Sequence, residues 1–217
     1  MGYLLGIDLG TSGAKAVLFD RDGEMIAGHT EGYRLYQPRN GWAEQDPEDW
    51  WRAVSSAIRS VLSHSRVHPE EIRGIGLSGQ MHGVVMLDQD GAVLRRAIIW
   101  CDGRTQEQCD QITETLGEER LIEITANPAL PGFSAGKILW VRQWETELYQ
   151  KCRHILLPKD YIRYRLTGAF ATEVSDASGT NLFDVPERCW SKAVLEALEI
   201  RPDLLPRMHE STDITGT

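Results

Sequence analysis

The sequence predicts an α/β fold in which a mixed sheet carries flanking helices. Three observations predict it. Apolar, β-prone runs near the start are joined by glycine-rich and Asp-Gly turns. One long amphipathic stretch between two such runs carries helix-capping signals, and helical periodicity dominates the second half, interrupted by a short strand.

Residues 3–7 and 14–19 read as strands around the turn Gly10-Thr11-Ser12-Gly13, and Asp22-Gly23 leads the second run into a third over 24–31, giving a three-stranded meander. After the loop Gln37-Pro38-Arg39-Asn40-Gly41, Asp46 caps a helix with Pro47 at its first position. Trp50, Val54, Ala57, Ile58, Val61 and Leu62 fall at helical spacing, and the helix is expected to end near Ser63. Strands are expected over 72–77, 84–87 and 97–100, with a second Asp-Gly turn before the last. Helices are expected over 105–116, 136–144, 161–166 (ended by Gly168) and 191–198, with a short strand at 154–157. Trp42, Trp50, Trp51 and Trp190 read as packing residues. Gly6, Ile7, Leu9, Asp20, Asp22 and Gly23 recur at one constant offset as Gly74, Ile75, Leu77, Asp88, Asp90 and Gly91. Two ordinary hairpins sharing turn chemistry account for this as well as true repetition does. No linker or internal domain boundary is evident.

With 41% hydrophobic and 25% charged residues among 217, the composition is that of a globular chain able to bury a core, and it excludes disordered, collagenous and membrane classes. A formal charge of -9 argues against a nucleic-acid partner, which would call for clustered Lys and Arg. Cys101, Cys109, Cys152 and Cys189 form neither a CxxC pair nor a zinc spacing, so reduced thiols and a cytoplasmic location are expected. No membrane partner is expected: the N-terminus lacks a basic region, no apolar run approaches the ~18 residues of a span, and Gly6 stands where myristoylation wants Ser or Thr.

Gly6-Ile7-Asp8-Leu9-Gly10-Thr11-Ser12-Gly13-Ala14-Lys15 is neither a P-loop nor a dinucleotide fingerprint, because its context is strand, turn, strand. Glycines free to adopt positive φ let backbone N–H groups close around phosphate oxygens, Thr11 and Ser12 add hydroxyls, and Lys15 adds charge. Asp8 is unusual in a strand, and a buried carboxylate there would call for a partner such as hydrated Mg²⁺. A plain hairpin with an exposed Asp8 near its turn accounts for the same residues.

Taken together, the motifs resemble the FGGY carbohydrate kinases. The matching runs are Gly6 through Lys15; Trp42-Ala43-Glu44-Gln45-Asp46-Pro47 with Trp50-Trp51; Ser78-Gly79-Gln80-Met81-His82-Gly83; and Trp100 with Asp102-Gly103-Arg104. Pro131-Gly132-Phe133 with Lys137 and Leu139-Trp140, then Leu157-Pro158-Lys159-Asp160-Tyr161, Leu166-Thr167-Gly168 and Ser175-Asp176-Ala177-Ser178-Gly179-Thr180 follow in family order. The resemblance implies an actin/hexokinase-like, ribonuclease H-like N-terminal lobe that binds sugar, with ATP and Mg²⁺ as cofactors. Asp8 would position Mg²⁺, and Gly10, Thr11, Ser12, Gly13 and Lys15 would face nucleotide phosphates.

Met81-His82 is similar to the pair with which the family's D-xylulose kinases contact sugar; glycerol-specific members carry Arg-Glu there, and gluconate kinases usually follow the pair with Ser where this chain has Gly83. The implied reaction is ATP-dependent phosphorylation of a ketopentose, D-xylulose foremost, with gluconate or another ketose as alternative. A non-enzymatic actin-like ATP-binding scaffold is the alternative of another class. Gln80, Met81, His82, Trp100, Asp102 and Arg104 are the expected sugar-site residues, although Asp102 and Arg104 could equally be a structural ion pair. Phe133 and Lys137 read as packing, and Asp160 and Asp176 as helix caps or turn braces. The family's catalytic Asp is expected beyond Thr217, so residues 1–217 would be an N-terminal lobe whose partner is its own C-terminal nucleotide lobe, with a homodimer a further expected assembly. Trp144 departs from the family run, which carries an amide, acid or histidine there.

Overall fold

A computed structural model describes residues 2–217, which divide into two compact units. The first comprises residues 2–35 and Asp46–Gln80, the second Tyr36–Gln45 and 81–217. The sequence shows no evident boundary at the places where these units divide. The crossings fall at Leu35, Gln45 and Gln80; the Gly- and Pro-containing stretches beside the first and last of these also read as ordinary turns, so they do not by themselves mark a boundary.

In the first unit, β1 (Tyr3–Leu9), β2 (Gly13–Phe19) and β3 (Met25–Gly32) form the expected antiparallel meander. In the second unit, β4 (Glu44–Gln45) is too short to have been legible beforehand. Helix α1 (Pro47–Ser65) opens as expected: the Asp46 carboxylate accepts the Glu48 N–H at 3.0 Å, and Pro47 occupies the first turn, where its missing N–H costs nothing. The helix ends on Arg66 in the left-handed region, two residues beyond the expected stop. β5 (Ile72–Gly79) then pairs with β1 in parallel, so the sheet is mixed, in the order β3-β2-β1-β5. Period-two alternation buries Leu5, Ile7, Leu9, Ala14, Ala16 and Leu18, and α1 packs on the sheet with Trp50, Ala53, Val54, Ala57 and Val61 buried.

The second unit continues with β6 (Val85–Leu87) and β7 (Ala97–Ile98), which pairs with β4. Helices follow: α2 (Gln106–Leu116), α3 (Glu118–Thr125), α4 (Ser134–Trp144) and α5 (Thr146–Lys151). β8 (His154–Leu156) pairs with β6, and α6 (Pro158–Thr167) ends on Gly168 at φ 76°. β9 (Ala171–Glu173), α7 (Val174–Ala177), β10 (Phe183–Asp184), β11 (Cys189–Trp190), α8 (Lys192–Ala197) and β12 (Arg207–His209) complete it. Its core gathers Met86, Ile98, Ile112, Leu121, Ile138, Leu139, Ile155, Leu182 and Val194. Trp42 meets Trp140 edge-on at 5.3 Å, Trp50 is fully buried and Trp190 donates to the Pro206 carbonyl, so these indoles are packing residues as expected.

The sequence echo resolves into two parts. Asp20 and Asp88 build the same turn: each carboxylate accepts two backbone N–H groups, from Asp22 and Glu24 in one and Asp90 and Ala92 in the other, with Gly23 and Gly91 at positive φ. The strands around them do not repeat, since β5 pairs with β1 and β6 pairs with β8.

Candidate functional site

The hairpin turn engages four of its carbonyls within the fold. The Leu9 carbonyl accepts the Gln80 N–H at 2.7 Å, the Gly10 carbonyl accepts the Tyr33 hydroxyl and Gln80 Nε2, the Ser12 carbonyl accepts the Tyr33 N–H, and the Gly13 carbonyl accepts the Gly10 N–H at 3.1 Å. A loop that receives an anion has to turn its negative ends away, and the Leu9, Gly10, Ser12 and Gly13 carbonyls are engaged in the way such a loop requires. Burial, with the Asp8 charge in the same sense, raises the Tyr33 phenol, which stays a proton donor to Gly10.

Three expectations change. The Gly10 N–H is already engaged and is not free for phosphate. Gly10 and Gly13 do not adopt positive φ; Gly13 is required because a Cβ there would sit 2.7 Å from the Glu31 carbonyl oxygen. Asp8 is exposed on the sheet face opposite the buried Leu5, Ile7 and Leu9, in register with Lys15 on one side and Ser78 on the other. Burial therefore does not oblige it to bind a metal. An exposed carboxylate flanked by a hydroxyl still suits a hydrated Mg²⁺ that takes its other oxygens from phosphates. Among the described residues, no group of three His, Cys, Asp or Glu side chains gathers as a metal site.

In the second unit His82 is the centre of a tightly built cluster. Its backbone is left-handed, φ 65°, a conformation that costs a non-glycine residue energy and that concentrates at functional sites. Its Nδ1 lies 2.7 Å from the Gly179 carbonyl oxygen, and its ring meets Phe133 edge-on at 4.8 Å. Because a carbonyl only accepts, Nδ1 carries the hydrogen. Burial lowers the imidazole pKa, the Lys137 charge adds to this, and the bond to Gly179 opposes it. The neutral ring thus keeps Nε2 as an acceptor. Met81, partly buried, precedes it, and Trp100 is 46% exposed. Gln80 closes the first unit, so the Gln80-Met81-His82 motif straddles the division between the units.

Asp102 and Arg104 form the structural ion pair that was the alternative to a sugar-site role. Asp102 Oδ1 accepts the Arg104 N–H and Nε, and Oδ2 accepts Arg104 Nη2 at 2.7 Å and the Ala43 N–H at 2.5 Å. Arg104 also pairs with Glu44 at 2.9 Å and lies 3.7 Å over the Trp42 ring. With the Asp102 oxygens satisfied and the residue 2% exposed, the pair braces the fold. Asp160 is fully buried against Arg163 at 2.7 Å, and Asp176 faces Lys159 at 3.2 Å. Lys159 also holds Glu173 at 2.6 Å; burial raises the Glu173 carboxyl, but Lys159, Ser211 and the Asp176 and Ser175 amides outweigh it and hold the pKa down to about 2.

Two residues around His82 were missed. Gly179 leaves no room for a side chain, since its Cβ would lie 2.3 Å from His82 Cε1. Lys137, fully buried, was read as packing although a lysine inside the apolar run Ile138, Leu139, Trp140 and Val141 has to find polar partners within the fold.

Residues 3–217 match the FGGY family of carbohydrate kinases, N-terminal domain. The chain belongs to this family. It is 45% identical to the xylulose kinase of Bacillus subtilis over all of its own length and 43% of that protein's. The structure superposes on the "xyloylose kinase" of Brucella ovis with a TM-score of 0.92 at 37% identity, covering 99% of this chain and 44% of that one. On the gluconate kinase of Lactobacillus acidophilus the TM-score is also 0.92, at 28% identity, covering 100% and 43%. The chain thus spans less than half the length of these FGGY relatives, and the expected actin/hexokinase-like lobe is the fold it adopts. No helix among the described residues is long and apolar enough to cross a membrane.

Proposed function

We propose that this chain is the sugar-side, N-terminal lobe of an ATP-dependent ketopentose kinase, with D-xylulose as the preferred substrate and a C-terminal nucleotide lobe as its partner. The observation that carries the reading is the His82 cluster: a neutral imidazole in a strained backbone, its Nδ1–H tied to Gly179 so that Nε2 can accept a sugar hydroxyl. Met81 supplies an adaptable apolar contact to the carbon skeleton, and the exposed face of Trp100 completes the sugar-site set in this unit. Asp102 and Arg104 hold the fold and are left out of it. The relatives named as xylulose kinases support the choice of sugar.

At the hairpin, Thr11, Ser12 and Lys15 are assigned to nucleotide phosphate, with the engaged carbonyls removing repulsion from the approaching anion. Asp8, with Ser78 beside it in register, would hold a hydrated Mg²⁺, which when bound neutralises charge on the transferring phosphoryl group. Alignment and charge stabilisation dominate such transfers, and the proton of the attacking hydroxyl is assigned to a carboxylate outside residues 1–217. A cytoplasmic location accompanies this reading.

The test is ADP formation by the full-length protein with D-xylulose, other ketopentoses, gluconate and glycerol. The highest kcat/KM is expected for D-xylulose. A preference for gluconate, the substrate named for one structural neighbour, would reassign the sugar, and ATP-dependent assembly indifferent to every sugar would reassign the class.

A further inference from the structure

The Lys137 ammonium has three N–H groups and three backbone acceptors: the carbonyls of His82 at 3.1 Å, Phe133 at 3.0 Å and Gly132. Ser134 Oγ adds a second bond to the His82 carbonyl at 3.2 Å. Phe133, Ser134 and Lys137 all belong to the first turn of α4 or its cap, so one helix end holds the His82 carbonyl from two sides and its ring from a third. Burial draws the lysine pKa down to about 7, with Asp102 opposing; the three acceptors, each needing an N–H, favour the charged form as well. A side chain so costly to bury is retained in few places without such full satisfaction.

We propose that Lys137 is the positioning residue of the sugar-site histidine: by fixing the His82 carbonyl it keeps residue 82 in the left-handed region and so aims Nδ1–H at Gly179 and Nε2 outward. This rests on the reading of His82 as a sugar contact. A left-handed non-glycine residue relaxes unless its surroundings over-determine it, and Lys137 and Ser134 provide that restraint here.

The experiment compares wild type with Lys137→Met in the protein by two independent measurements. Long-range nitrogen NMR of His82, in the absence of sugar, is expected to find the Nδ1–H tautomer in wild type and a tautomer mixture in the variant. Steady-state kinetics of the full-length protein with D-xylulose are expected to give a KM raised about tenfold with kcat changed less than about twofold, the pattern of lost uniform binding. An unchanged tautomer would overturn the proposal. A changed tautomer with unchanged KM would support the restraint and overturn the sugar assignment instead. If Lys137→Met does not fold, Ser134→Ala removes only the second bond to the same carbonyl, and the same tautomer shift, smaller in size, is expected. Glycine takes the left-handed conformation unaided, so the thermal destabilisation by Lys137→Met should shrink in a His82→Gly background. Equal destabilisation in both backgrounds would mean that Lys137 serves only the Gly132 and Phe133 carbonyls, and would refute the assignment.

Discussion

Replacing Gly179 by Ala tests the His82 cluster most directly. The added Cβ would lie 2.3 Å from His82 Cε1 and 2.5 Å from Nδ1, where non-bonded carbon atoms prefer ~3.5–4.0 Å, so the ring has to retreat by more than ~1 Å. Retreat breaks the 2.7 Å bond to the Gly179 carbonyl, worth ~0.5–1.5 kcal/mol, and the edge-on Phe133 contact, worth ~0.5–1.5 kcal/mol. The sum is about 1–3 kcal/mol. No backbone strain adds to it, because Gly179 does not adopt positive φ. At ~2–4 °C per kcal/mol for a chain of this size, Tm should fall by roughly 2–12 °C in calorimetry. In a His82→Ala background the ring is gone, and Gly179→Ala should then cost less than about 0.5 kcal/mol. An unchanged Tm, or an equal loss in both backgrounds, would refute the idea that Gly179 is glycine to admit the imidazole.

Three more outcomes follow from the geometry. Asp8→Asn in the full-length protein should lower kcat by roughly 10²-fold or more with little change in Tm, since the carboxylate is exposed; unchanged turnover removes Asp8 from the site. Arg104→Met should destabilise by about 3–5 kcal/mol in urea unfolding, because it leaves the buried Asp102 carboxylate unpaired, and a variant as stable as wild type would show the pair to be dispensable. Glu173 has a folded pKa near 2, below its ordinary 4.5, so its contribution is present above about pH 4.5 and is lost as pH falls through about 2. Glu173→Gln should therefore weaken the fold at about pH 6 and make little difference at about pH 2; the reverse pattern in urea titrations would contradict the pairing with Lys159.

Local signals carried most of the sequence reading. Asp46-Pro47 and Gly168 mark helix ends because capping is decided by adjacent residues, and the meander is legible because its turns are. Strands of two or three residues such as β4, β9 and β12 exist only through pairing with distant segments and leave no periodic trace. Helix α3 did leave one, Leu121 and Thr125 buried four residues apart after an acidic first turn, and it went unread. At the site, motif position identified His82 but not what holds it. Gly179 and Lys137 lie 97 and 55 residues away along the chain, and only tertiary structure brings them together. For Asp8 the alternation of Leu5, Ile7 and Leu9 already implied an outward side chain, so its exposure could have been deduced from β1 alone.

The polypeptide passes between its two units three times, leaving the first at Leu35, returning at Asp46 and leaving again at Gln80. No single cut can therefore separate them. During synthesis β4 emerges long before its strand partner β7, so the Tyr36–Gln45 excursion has to wait for that partner while the remaining residues of the first unit are made. Anyone dividing this protein by proteolysis or gene fusion has to close that excursion with a new loop to free the first unit, or supply the same residues as a separate peptide to complete the second.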